Sequence, residues 1–134
     1  MSSRYGTRFA TTGASAPVLR ITTTTDSGTA RILHLDGEVD QDERQRLESA
    51  LRRAVAHRPP RLVVDLAGLT FCDSTGLNAL LKTRLAARAA GFPLVLAAPT
   101  PQTRRLLEIT GTDEAFTIRD SVRAALADTA PHTG

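Results

Sequence analysis

The sequence predicts a single α/β domain with a mixed, mostly parallel sheet of about five strands and four helices, in the order β-β-α-β-α-β-α-β-α. Three observations carry this. Two short apolar runs, residues 61–66 and 93–97, have the character of strands covered on both faces. Each is followed by a stretch with helical spacing and its own start and stop signals. Ahead of them, two segments rich in β-branched residues flank Asp26-Ser27-Gly28, which is turn chemistry. Strands that alternate with helices after an opening hairpin imply crossover connections and parallel neighbours.

Residues 1–16 are Ser, Thr, Gly and Ala with scattered Arg and no period, and read as a flexible N-terminal arm. The domain proper is expected over 17–128, with 129–134 a flexible polar tail. Val18 to Thr23 and Ala30 to Leu35 read as the hairpin strands, with Leu33 and Leu35 on one face and Ile32 and His34 on the other. His34 has no metal-spaced partner and reads as a sheet-face residue. Asp36-Gly37-Glu38-Val39-Asp40 reads as a polar turn that ends the second strand, with Asp40 capping the helix that follows. In that helix Leu47, Ala50, Leu51, Ala54 and Val55 form an apolar stripe, and Pro59-Pro60 stops it.

After the strand at 61–66 comes a loop containing Phe71-Cys72-Asp73-Ser74, then a helix running to about Ala90. Leu77, Leu80, Leu81 and Leu85 fall within one arc of it. Gly91 ends this helix, and Thr100-Pro101 opens the next with a cap and a first-turn proline. Leu106, Leu107 and Ile109 give that helix its apolar side, and Gly111 stops it. Phe116 to Ile118 reads as the last strand, and Asp120 as the cap of a final helix carrying Val122, Ala125 and Leu126.

Composition narrows the function classes. Hydrophobic residues make up 41% of the 134, enough for a core, but aromatics are only 4% and Trp is absent. A base-stacking platform for single-stranded nucleic acid is therefore not indicated. Seventeen basic residues face fourteen acidic ones, with the signs interspersed; all but Lys82 of the basic residues are Arg. The net +3 is ordinary for a domain that does not bind nucleic acid. Cys72 stands alone, which removes disulfides and CxxC sites and suits a reducing, cytoplasmic location. No apolar run reaches membrane-spanning length.

Enzyme signatures are missing as well: there is no GxxxxGK[ST] loop, HExxH or GxSxG. A hydrolase built on Ser74 would need a base that nothing in the pattern supplies. Asp65 and Asp73 read as acceptors for nearby amides, not as a metal pair. The chain is expected to be a binding module and not an enzyme, with no cofactor.

The most informative stretch is Asp73-Ser74-Thr75-Gly76-Leu77. Asp and Ser are favoured helix caps, and the first turn gathers unpaired N–H groups and the positive end of the helix dipole. A hydroxyl held there is exposed, and a phosphate on it would be tolerated. The plain reading is a cap. Taken with Leu35-Asp36-Gly37-Glu38-Val39-Asp40 and Leu62-Val63-Val64-Asp65-Leu66, however, the stretch resembles the STAS domain family. It is most similar to the bacterial anti-sigma factor antagonists, over about residues 17–128.

The resemblance implies that the chain binds an anti-sigma factor that is itself a serine kinase using ATP, and so releases a sigma factor. Phosphorylation of Ser74 by that kinase would end binding, with Thr75 as a secondary acceptor. The implied partner surface comprises Asp40, Asp73, Ser74, Thr75, Gly76, Asn78 and Lys82. Asn78 and Lys82 stand where antagonists often carry small residues, and so bear on partner choice. The alternative is a STAS scaffold or small-ligand-sensing module without phosphotransfer.

Overall fold

The computed structural model describes residues 18–128. The expected arm (1–16) and tail (129–134) lie outside the described residues. Strands β1 (Leu19–Asp26) and β2 (Ala30–Val39) form an antiparallel hairpin. At its turn Ser27 and Gly28 take positive φ angles of 36° and 77°, and the Thr29 hydroxyl donates to the Asp26 carboxylate at 2.7 Å. β2 then pairs in parallel with β3 (Leu62–Cys72), β3 with β4 (Leu94–Ala97), and β4 with β5 (Thr117–Arg119). The spatial order β1-β2-β3-β4-β5 is the order along the chain. Helices α1 (Arg44–Ala56), α2 (Ser74–Ala90) and α3 (Pro101–Thr110) fill the connections between parallel strands, and α4 (Val122–Leu126) follows the last strand, as the alternation of patterns predicts.

The period-2 pattern of the strands divides the core into two layers. Leu33, Leu35, Val64, Leu66 and Leu96 face one side, where Leu47 and Leu51 of α1, Leu77 and Leu80 of α2 and Leu107 of α3 close over them. Ile32, Val63, Val95 and Ala97 face the other, where Ala125 of the short α4 packs on them. α4 is too short to cover the hairpin end of this second face, and Arg20, Thr22 and Thr24 stay exposed there. His34 lies on it, as expected of a sheet-face residue. It is not isolated: Nδ1 meets the Asp65 carboxylate at 2.7 Å and Nε2 meets the Thr24 hydroxyl at 2.9 Å. Asp65 sits mid-strand and also accepts from the Ala67 amide at 3.0 Å.

Two strands run further than the sequence predicts. Asp36 to Val39 does not end β2; the strand continues through Gly37. Phe71 and Cys72 belong to β3, not to a loop. The cause is a pair of irregularities in the β2–β3 register, between His34 and Asp36 and between Gly37 and Glu38, where β3 carries extra residues. A turn-like composition is thus absorbed as bulges inside a ladder. Gly37 takes φ +107°, and a Cβ there would lie 2.0 Å from the Val18 carbonyl oxygen.

Three apolar or capping expectations also change. Leu85 is 58% exposed and Ile109 73% exposed. The buried line of α2 runs instead through Gly76, Leu80, Thr83 and Ala87, and Thr83 enters the core because its hydroxyl donates to the Ala79 carbonyl at 2.8 Å. α4 is capped by Ser121, whose Oγ accepts from the Ala124 amide at 3.0 Å; Asp120 lies 3.5 Å from Arg104 instead. No helix among the described residues is long and apolar enough to cross a membrane.

Gly37→Ala would put a side chain into a left-handed backbone position and against a carbonyl. It is expected to destabilise the fold by about 1–3 kcal/mol or more. Urea unfolding should show a lower midpoint with an unchanged slope.

Candidate partner-binding site

The parallel register of β2 and β3 builds the site. Val39 lies opposite Cys72, so the residues that follow, Asp40 and Asp73, leave neighbouring strands at the same end of the sheet. Both have extended backbones, and both turn the chain into a helical segment by the same means. Asp40 Oδ1 accepts from the Asp42 amide at 3.0 Å and starts a 3-10 turn, Gln41–Glu43, ahead of α1. Asp73 Oδ1 accepts from the Thr75 amide at 2.8 Å and starts α2. Glu43, in the same turn, forms an ion pair with Arg46.

Ser74 is therefore the first residue of α2, exposed, at the positive end of a 17-residue helix. Its hydroxyl makes no hydrogen bond among the described residues. Thr75 is half-buried, while Asn78 and Lys82 are exposed. Gly76 is buried, and the reason is steric: a Cβ there would lie 2.6 Å from Cys72 Sγ and 3.0 Å from Val39 Cγ1. Only a glycine lets the first turn of α2 sit directly on the ends of β2 and β3.

Ser74, Thr75, Asn78 and Lys82 line a groove of about 490 Å³ between α1 and α2, with Gln41 and Arg44 on the opposite wall. Leu85 lines the same groove, so it does not lie on the side away from Asn78 and Lys82, as the arc of leucines suggests. Residues 78, 82 and 85 follow the i, i+4, i+7 spacing of one helix face. Lys82 is not a lone cation, since its Nζ lies 3.3 Å from the Glu48 carboxylate across the groove. Exposed pairs of this kind contribute little to stability.

Two contributors escape the sequence reading. Gln102, at the start of α3, brackets the Cys72 backbone: its Oε1 accepts from the Cys72 amide at 3.0 Å and its Nε2 donates to the Cys72 carbonyl at 2.9 Å. It fixes the strand end that leads into Asp73 and Ser74, yet nothing in its sequence neighbourhood signals this. Phe71, 42% exposed, is a large apolar side chain three residues before Ser74; its place in the motif was visible, but its exposure was not. Cys72 itself is buried. Among the described residues no group of three His, Cys, Asp or Glu side chains could hold a metal ion.

A family model described as "Mlab, STAS domain" matches residues 22–120. The chain belongs to the STAS domain family. The anti-sigma-F factor antagonist RsfB of Mycobacterium tuberculosis is 32% identical to this STAS chain over 113 residues, which is 84% of the chain and 91% of RsfB. A crystal structure of an anti-sigma factor antagonist from Mycobacterium paratuberculosis matches it with a TM-score of 0.73 at 32% identity, covering 85% of this chain and 97% of that one. The Bacillus cell fate determinant SpoIIAA, solved in its phosphorylated form, gives a TM-score of 0.64 at 16% identity, over 81% of this chain and 97% of SpoIIAA. At that identity the likeness is one of fold.

Burial, and then the neighbouring Asp73 carboxylate, push the Cys72 thiol up to about 12. An unfolded thiol ionises near ~8.5, so the folded state holds this proton more tightly. Its contribution to stability is complete below ~8.5 and is lost as the pH climbs toward 12, by at most about 1.4 kcal/mol per pH unit. Unfolding curves between roughly pH 8 and 11 should show this fall for the native chain and a shallower one for Cys72→Ala.

Proposed function

We propose that this STAS domain is an anti-sigma factor antagonist: a cytoplasmic regulatory binding protein, not an enzyme, that captures a kinase-type anti-sigma factor and releases a sigma factor. The observation that carries the reading is the exposed Ser74 hydroxyl, held as the first residue of α2 beside the Asp73 cap and on the rim of the α1–α2 groove. The names of RsfB and of the M. paratuberculosis protein support the same class. Asp40, Asp73, Ser74, Thr75, Gly76, Asn78 and Lys82 form the proposed partner surface, with Phe71 and Leu85 as its apolar anchors. No contact with nucleic acid or membrane and no cofactor is part of the proposal.

In the proposed switch, Ser74 Oγ attacks the γ-phosphorus of ATP held by the partner. The bond to ADP breaks, and the hydroxyl proton passes to a base on the partner. A base from outside is needed because no described side chain hydrogen-bonds to Ser74. Thr75, half-buried, is the secondary acceptor.

The added phosphate brings about −1.5 to −2 charges. The helix dipole favours an anion at this position by roughly 0.3–1 kcal/mol, while the Asp73 carboxylate opposes it. These terms offset each other, so the free fold should change little. At a closed interface the same phosphate would be desolvated without a partner, at a cost of roughly 2–5 kcal/mol. That corresponds to roughly 30- to 5,000-fold in affinity. The switch therefore acts on binding and not on folding.

Mass-spectrometric mapping after reaction with the cognate kinase and ATP should place the phosphate on Ser74, and Ser74→Ala should abolish most of the labelling. Full labelling of Ser74→Ala would overturn the assignment. Ser74→Asp should bind the anti-sigma factor at least about 30-fold more weakly while its melting temperature moves by less than about 4 °C.

Asp40→Ala is expected to weaken partner binding by about 1–3 kcal/mol. Because Asp40 also caps the 3-10 turn, the variant should lose about 0.5–2 kcal/mol of stability as well. Calorimetric titration and thermal melts on the same samples separate the two losses. Lys82→Glu disrupts the Glu48 pair at little cost in stability and should weaken binding; unchanged affinity in both variants would put the partner surface elsewhere.

A further inference from the structure

α1 has a second groove on its other flank. Gln45, Arg46, Ser49, Arg53 and His57 face the β1–β2 hairpin, whereas Arg44, Glu48 and Arg52 face α2. The hairpin side forms an open groove of about 510 Å³, within the volume range of small-molecule sites. Its chemistry is one-sided. Arg31 from β2 joins Arg46, Arg53 and His57 of α1, and no carboxylate is among the lining residues.

Four described arginines are held in ion pairs: Arg46 with Glu43, Arg61 and Arg119 with Asp128, and Arg104 with Asp120. Arg31 and Arg53 have no such partner among the described residues. Arg46 is anchored at the opposite end by the Leu19 carbonyl at 2.8 Å. Between the cations the floor is apolar, made by Ile21, Ala50 and Ala54, with the Thr23 and Ser49 hydroxyls at its sides. Two uncommitted guanidiniums from different elements are suited to bidentate contact with phosphate oxygens. The floor accepts a non-ionic portion, and the hydroxyls accept or donate to its polar edges.

We propose that this groove is a binding site for a phosphorylated small molecule, its phosphates held between Arg31 and Arg53 and its non-ionic part over Ile21, Ala50 and Ala54. The site is separate from the Ser74 surface and does not depend on that reading. The negative end of the α1 dipole lies at the Arg53–His57 end and opposes an anion, but its influence is confined to the last turn and is screened by salt. Two direct guanidinium contacts outweigh it. A concave site with an apolar floor favours a soluble ligand over a membrane surface, which would need the cations on a convex face.

The test is isothermal titration of the full chain with adenosine diphosphate and with inorganic pyrophosphate as probes, at low and at raised salt. Saturable one-to-one binding is expected for both, tighter for the nucleotide because it alone can use the floor, and weaker for both as salt rises. Arg53→Gln and Arg31→Gln should each weaken binding about tenfold, with unchanged melting curves. Arg53 is exposed, so its variant carries the test should Arg31→Gln disturb the hairpin. Arg123→Gln, on α4 and away from the groove, should bind as the native chain does. Three results would overturn the proposal. One is no saturable binding of either probe up to several millimolar; another is an equal loss in Arg123→Gln, which would mean diffuse charge attraction. The third is binding to vesicles of anionic phospholipid without binding to either soluble probe.

Discussion

The first turn of α2 lies against Cys72 and Val39 with no space for a Cβ at Gly76, and this contact sets the position of everything at that end of the sheet. A helix that docks one methyl further out would lift away from the strand ends, and the cap from Asp73 to Thr75 would lose its geometry. The seat also depends on what lies beneath it. The two irregularities in the β2–β3 ladder bring Val39 level with Cys72, and Gln102 ties the Cys72 backbone to α3 from the other side. Strand register, a missing side chain and one amide clamp together hold at a helix start a serine hydroxyl with no hydrogen bond among the described residues. The rigid parts are buried, and the one group proposed to change its chemistry is on the surface.

α1 separates two surfaces of different character. Toward α2 it offers Glu48 to Lys82 across a groove with mixed charges and exposed leucine. Toward the hairpin it offers arginines over an alanine floor. A helix of 13 residues buries only four of them, Leu47, Ala50, Leu51 and Ala54, so both flanks are available for chemistry. The two surfaces share a rigid element but no lining residue. A ligand on one side would therefore reach the other only by moving α1 as a body.

The alternation of buried runs and helical stripes made the order of elements legible, because each signal lies within a dozen residues of sequence. Asp73 as cap, Gly91 and Gly111 as stops and Thr100-Pro101 as a start were readable for the same reason. What escaped was set by contacts between distant segments. Gly37 looks like a turn residue until β3 is placed beside it, where the same flexibility serves a bulge. Leu85 and Ile109 look like core until the seat of each helix is known, and Thr83 looks polar until its hydroxyl finds the Ala79 carbonyl. His34 and Asp65 are 31 positions apart and meet only because β2 and β3 are parallel neighbours. The site residues at Asp73 to Gly76 were visible as a local motif, whereas Gln102, Phe71 and Leu85 needed the assembled fold.

The sheet is laid down in chain order, with each strand paired to the one made just before it. No later strand has to insert between two earlier ones, so a chain emerging from the ribosome can add one unit at a time to a growing edge. The hairpin comes first and closes through local pairing, and each crossover then closes a loop of moderate length, which keeps the entropy cost of every step low. Every residue named at the Ser74 site, Gln102 included, precedes β5 and α4 in the chain. A nascent chain could thus hold a formed binding surface while its last strand is still inside the exit tunnel, and the order of synthesis becomes an order of maturation.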